Sequence, residues 1–156
     1  GAVLIGLLAE HVPETEEGVD VWFRPVLTGS PDNGLTEPEL ADGDTTDGPD
    51  SGELDDAMIV QFFVDDGFFG GCDGRNGILD SPITPRTSLA SAIDAIAGGV
   101  RITGTQCLAT GQRRCLGFTW EIPAATGNLV QTDGVTFDLA FVGVSCGTGN
   151  PWEGTP

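Results

Sequence analysis

LGFTWEIPAATGNLVQTDGVTFDLAFVGV, residues 116–144, holds two runs in which apolar and polar positions alternate. In the first, Leu116, Phe118, Trp120 and Ile122 alternate with Gly117, Thr119 and Glu121. In the second, Val135, Phe137, Leu139 and Phe141 occupy every other position. Successive side chains of a strand point to opposite faces, so each run predicts a long half-buried β-strand. Working outward, AMIVQFFV (residues 57–64) is too continuously apolar to have a wet face and predicts a central strand. VDVWFRPVLT (residues 19–28) predicts a strand interrupted by Pro25, hence an edge strand or one with a bulge. RITGT and its neighbour Val100 (residues 100–105) predict a further strand. One helix is expected, SLASAIDAIA (residues 88–97). Thr87 or Ser88 can cap its start, Gly98 and Gly99 can end it, and Leu89, Ala92, Ile93 and Ile96 share one face. With 24 glycines punctuating short apolar runs, the expected class is all-β with one short helix.

The chain of 156 residues is long enough for one domain with a real core. Its 39% hydrophobic and 19% charged residues exclude a chain disordered throughout. We divide it into an apolar arm (residues 1–13), a single β-domain (residues 14–146) and a tail (residues 147–156). The charge balance is lopsided: 24 acidic residues against six arginines and no lysine, a formal net charge of -18. Such a domain repels itself in dilute buffer, and high salt relieves the repulsion because the Debye length falls to about 3 Å at 1 M. The expected source is therefore a salt-loving microbe. Nucleic acid is not expected as a partner, since phosphate binding needs clustered cations. Residues 32–56 carry ten acidic side chains and no basic one, which predicts a long solvated loop.

Cys72, Cys107, Cys115 and Cys146 make an even count, which predicts two disulfides in a secreted protein. Of the three possible pairings we favour Cys107–Cys115, because the intervening LATGQRR reads as a turn, with Cys72–Cys146 by elimination. A zinc site is disfavoured, because no C-x-x-C spacing exists and the only histidine, His11, is remote.

No nucleophile–base motif, P-loop or H-E-x-x-H sequence is present, so no catalytic residue is assigned and an enzyme is not expected. DDGFFGGCDGRNGILD (residues 65–80) is the candidate metal loop. Asp65, Asp66, Asp73, Asn76 and Asp80 offer oxygen ligands on a flexible glycine-rich segment, as calcium wants, although Arg75 intrudes and the terminal bidentate Glu of an EF-hand is missing. No cofactor is required, and calcium is the one candidate.

The second candidate is the arm. Residue 1 is glycine, which implies processing or truncation, and residues 1–9 are all apolar or glycine. Nine residues are too few to span a bilayer, which takes about 20. The run reads as a leftover signal-peptide core, as an ordinary first strand of its own domain, or as a donor strand. In the last case Val3, Leu4, Ile5, Leu7, Leu8 and Val12 would complete a neighbouring subunit's sheet. Used head to tail, such an arm generates an open filament.

CLGFTWEIPAATGNLVQTDGVTFDLAF (residues 115–141) closely resembles the C-terminal signature of TasA-like or camelysin-like proteins, particularly those of haloarchaea. Trp120, Glu121, Pro123, Gly127, Asn128, Gln131, Thr132, Asp133, Val135, Phe137, Asp138 and Leu139 carry the match. DNGLTEPE (residues 32–39) and GELDDAMIV (residues 52–60) also resemble that family. The resemblance implies a jelly-roll-like β-sandwich, exported and built into cell-surface or biofilm-matrix fibres by donor-strand complementation. It implies that the principal partner is a second copy of the chain, with bundling of filaments as a further expectation. Some family members are described as peptidases, and no residue here carries that activity over. The alternatives are a monomeric secreted surface-binding module, calcium-stabilised or not, and a jelly-roll structural protein of a halophilic virus.

Overall fold

The computed structural model describes residues 1–65, 71–76 and 80–154. Its strands are β1 (Ala2–Leu8), β2 (Val19–Gly29), β3 (Ile59–Asp65), β4 (Ser81–Pro82), β5 (Thr87–Ser88), β6 (Val100–Arg101), β7 (Arg113–Glu121) and β8 (Thr136–Ser145). They form two antiparallel sheets. One runs β1-β7-β3-β4, with β5 on the other end of β3; the second runs β6-β2-β8.

The sheets face each other across an aromatic seam. Phe23 of β2 meets Phe62 of β3 at 5.5 Å between ring centroids, and Phe118 of β7 meets Phe137 of β8 edge-on at 5.9 Å. Within the sheets, Phe23 contacts Phe141 and Phe62 contacts Phe118 at 5.3 and 5.5 Å. Phe23, Phe62 and Leu116 are fully buried. Each such side chain stabilises the fold by about 1.5–3 kcal/mol, and the ring pairs add roughly 1 kcal/mol each. This arrangement is the expected all-β sandwich. The alternation in residues 116–122 points Leu116 and Phe118 inward, but the strand then leaves the core, and Trp120 and Ile122 are exposed. In β8, Phe137, Leu139 and Phe141 pack against the core as their spacing predicts.

β3 is central, with both faces covered. Val60, Phe62 and Val64 join the core. On the outer face, Gln61 donates to the Thr84 carbonyl (3.1 Å) and accepts from Arg75, whose guanidinium also lies 5.8 Å from the Phe63 ring centroid. β2 is less of an edge strand than Pro25 implied. It pairs with β8 along its length, while β6 covers only Trp22 and Phe23 on its other side. Pro25 therefore sits just beyond the reach of β6, where a missing N–H costs no ladder bond. The anticipated bulge lies between Leu27 and Gly29.

The expected helix is α3 (Leu89–Ala95), capped by Ser88, whose Oγ accepts from the Ser91 N–H. Leu89, Ala92 and Ile93 are buried in the core. Two more helices, α1 (Glu37–Asp42) and α2 (Leu54–Ala57), occupy the segment expected to be a solvated loop. The segment is laced to the sandwich instead: Gly52 N–H donates to the Ser30 carbonyl (2.8 Å) and Glu53 N–H to Asp133 Oδ2 (2.7 Å). The signal for α1 was present, since Thr36-x-x-Glu39 is a capping-box pattern with Pro38 in the first turn.

The disulfides correct the sequence-based pairing. Cys72 bonds Cys115 and Cys107 bonds Cys146, with Cα separations of 5.6 and 5.8 Å. Cys107 and Cys115 do not pair because the turn between them feeds two different places. Leu108, beside Cys107, bridges Val19 at the start of β2, whereas Cys115 lies inside β7 between β1 and β3. Cys146 follows β8, whose Ser145 faces the same Val19, so it arrives at Cys107. Two disulfides fit an oxidising compartment. Among the described residues no helix is long and apolar enough to cross a membrane.

Beside Cys107–Cys146, buried Asp20 ties β2 to β6 and to the turn after β8. It accepts from Arg101 Nε (2.8 Å), Thr103 Oγ1 (3.0 Å) and Gly147 N–H (3.0 Å), and forms an ion pair with Arg101 (2.7 Å). Burial pushes the Asp20 carboxyl up, but the Gly147 and Thr103 hydrogen bonds and the Arg101 cation outweigh it and hold it below 3.8. A depressed native pKa gives stability that is present above the unfolded value and lost as pH falls through the native one. We therefore expect the Asp20 contribution to disappear only below about pH 4. Asp20→Asn should cost about 3 kcal/mol at neutral pH, by leaving Arg101 without its counter-charge. It should also flatten the acid limb of stability against pH; an unchanged acid limb would assign that limb to other carboxylates. The tail packs here too, with the Trp152 ring under Arg24 at 4.6 Å and Asn150 donating to the Gly98 carbonyl.

Candidate functional site

Among the described residues β1 is the outermost strand of its sheet and pairs with β7 alone, from Ala2↔Thr119 to Leu8↔Arg113. The ladder continues at Gly1 and Trp120, which exchange two backbone hydrogen bonds. The structure thus places the arm on its own domain. Of the candidate donor residues, Ile5 and Leu7 are half-buried, and Leu7 packs against the core. Val3, Leu4 and Leu8 are 40%, 39% and 48% exposed, and Trp120 and Ile122 at the end of β7 are exposed beside them. Val12 lies past the strand, where its N–H donates to Thr110 Oγ1. Among the described residues the result is an apolar strand at a sheet edge, a surface that folded proteins ordinarily cover or charge.

The register of β1 is pinned by Gly6. It faces Cys115, and a Cβ at position 6 would come within 3.2 Å of Cys72 Sγ. A one-residue slip would bring Ile5 or Leu7 over the disulfide and turn Leu7 away from the core. The chain then crosses to the second sheet through residues 9–18. It leaves an open cleft of about 520 Å³ lined by Leu7, Leu8, His11, Val19, Leu108 and Phe141 among others.

The proposed calcium loop is only partly within the described residues, Asp66 lying outside them. Asp65 is buried, and its Oδ2 accepts from the Gly74 N–H (2.8 Å). Asp73 accepts from Asn76 Nδ2 (2.7 Å). Asp65, Asp73 and Asp80 are not among the carboxylates that converge within ligand distance of one another, a statement made of the described residues.

The carboxylates that do converge are Asp32, Glu39 and Asp133, each offering an oxygen within 4.8 Å of the others. Three elements bring them together: the turn after β2, the first turn of α1 and the turn before β8. Asp32 accepts from the Gly34 N–H through Oδ1, Glu39 from the Thr36 N–H through Oε2, and Asp133 from the Glu53 N–H through Oδ2. Thr132 sits at φ 80°, an uncommon conformation for a β-branched residue, with its single hydroxyl proton shared between the Gly34 carbonyl (3.1 Å) and Glu39 Oε1 (3.3 Å). Sequence reading missed this site because it took residues 32–56 for a solvated face. A second grouping, Asp20 with Cys107 and Cys146, has its sulfurs in a disulfide and its carboxylate on Arg101, so it offers no ligand set.

No family model, curated protein or solved structure matches this chain.

Proposed function

We propose that the protein is an exported structural subunit, TasA-like in kind, that builds an extracellular filament by exchanging β1 between copies. The observation that carries this reading is the arm itself. It is an apolar strand that pairs, among the described residues, with β7 alone, in a register set by a glycine over a disulfide. Every bond it makes to β7 would be the same if β1 came from another copy, so exchange costs no ladder contact, and the apolar side chains exposed at Val3, Leu4 and Leu8 are available to the neighbouring subunit. Head-to-tail exchange leaves each copy with one donor and one acceptor, which extends without closing. The charge of -18 per subunit makes high salt the condition for assembly.

Electron microscopy and sedimentation in high salt test the proposal, comparing the full chain with one lacking residues 1–8. The full chain should form filaments that shorten or dissolve as salt is lowered. The truncated chain should stay monomeric and bind an added peptide of residues 1–12. A full chain that stays monodisperse at high salt and high concentration would sink the filament and favour a monomeric secreted binding module.

A further inference from the structure

We infer that Asp32, Glu39 and Asp133 form a binding site for a divalent cation, and that the ion is calcium. Asp32 is 4% exposed and Glu39 fully buried, yet both face a third carboxylate. Asp32 Oδ2 and Asp133 Oδ1 are buried and make no hydrogen bond. Buried charges are ordinarily paired or coordinated to a metal, because an isolated carboxylate loses far more hydration than the interior returns. The chain has no lysine, and the ion pairs Arg101–Asp20 and Arg86–Glu121 lie elsewhere. Glu53 adds a fourth negative charge nearby. Burial first, and then the charges of Glu53, Asp32 and Glu39, push the Asp133 carboxyl above its ordinary value despite the Glu53 N–H that it accepts.

A cation between these oxygens relieves all of this at once. The donors are hard oxygens, with no imidazole or free thiol among them, which selects calcium or magnesium over zinc. They come from three separate elements, two turns and the first turn of α1, and not from one contiguous loop, which suits the larger and less demanding coordination shell of calcium, with water filling the remaining positions. The ion would pin the acidic segment carrying α1 to the β2 and β8 ends of the sandwich. The site is independent of strand exchange, since none of its ligands lies on β1 or β7.

The test uses the full chain, freed of divalent ions with a chelator and kept in constant high potassium chloride. Calorimetric titration and thermal unfolding are followed with calcium, with magnesium and with added monovalent salt. One calcium per chain is expected, with Kd of about 0.1–1 mM, the range of extracellular calcium modules. The melting temperature should rise by about 3–6 °C at about ten times Kd. Asp32→Asn and Asp133→Asn should melt above the parent in chelator, because they relieve repulsion, and should lose at least about tenfold in calcium affinity. Asp94→Asn, at an exposed position of α3, should leave the affinity unchanged. A parent protein that gains nothing from calcium beyond the effect of monovalent salt, but is stabilised by mild acid, would show three carboxylates sharing a proton and overturn the site. A calcium effect that survives both Asn variants would place the ion elsewhere and overturn it equally. A larger shift with magnesium would overturn the choice of calcium.

Discussion

Converting all four cysteines to alanine should leave a chain that is unfolded, or close to it, at 25 °C. Cys72–Cys115 and Cys107–Cys146 close sequence separations of 43 and 39 residues. Loop closure in the unfolded chain makes each bridge worth about 4 kcal/mol, against a usual range of about 2–5. Together they approach the whole stability of an ordinary domain, about 5–15 kcal/mol. They act on different parts of the fold, one tying the outer cover of the first sheet to β7, the other locking the turn before Leu108 to the end of β8. Their effects should therefore be nearly additive, and removal of either pair alone should lower the melting temperature by roughly 8–15 °C. Denaturant unfolding followed by the fluorescence of Trp22, Trp120 and Trp152 measures this. Digestion after arginine and glutamate without reductant checks the pairing itself. Cuts after Arg114 and Glu121 isolate Cys115 on a seven-residue peptide, residues 115–121, which should be recovered bonded to the peptide that carries Cys72. A quadruple variant that unfolds as late as the parent would mean that the core suffices without the bridges.

Gly117→Ala should destabilise the protein by about 3 kcal/mol, although alanine in a strand ordinarily gains roughly 0.5–1 kcal/mol over glycine. Gly117 faces Phe63 across the β3–β7 ladder. A Cβ at 117 would lie 2.7 and 2.8 Å from the two Cε atoms of that ring and closer still to Cζ. Phe63 is 2% exposed, with Gln61 beside it and Arg75 above, so the ring has nowhere inexpensive to go. The clash therefore decides the sign. Phe63→Leu in the Gly117→Ala background should recover part of the loss, because the smaller side chain makes room, and a double-mutant cycle isolates that coupling. A neutral or stabilising Gly117→Ala would show that the ring swings out freely and that the outer face of β3 is not packed.

How much of this protein could be read from its chain depended on the range of the signal. The strands β7 and β8 and the helix α3 are written in periods of two and 3.6, and a period is a property of neighbouring residues. β3 was equally legible, because a run apolar at every position but Gln61 needs cover on both faces wherever it sits. Pro25 marked a missing ladder partner and a bulge, but not which strand would stop short of it. The capping pattern at Thr36 and Glu39 was legible in principle and was outweighed by the density of acidic residues around it, since net charge carries no information about which carboxylates face inward.

The composition and the local alternation of apolar residues determined that the chain is all-β with a capped helix and carries an even set of cysteines suited to an oxidising compartment. Only the tertiary structure decided which cysteines meet, where the apolar arm lies, and which acids are buried. The physical reason is distance along the chain. Cys72 and Cys115, Gly6 and Cys115, and Asp32 and Asp133 are brought together by sheet pairing between segments far apart in sequence, and no local pattern encodes which strand edge a given turn will reach.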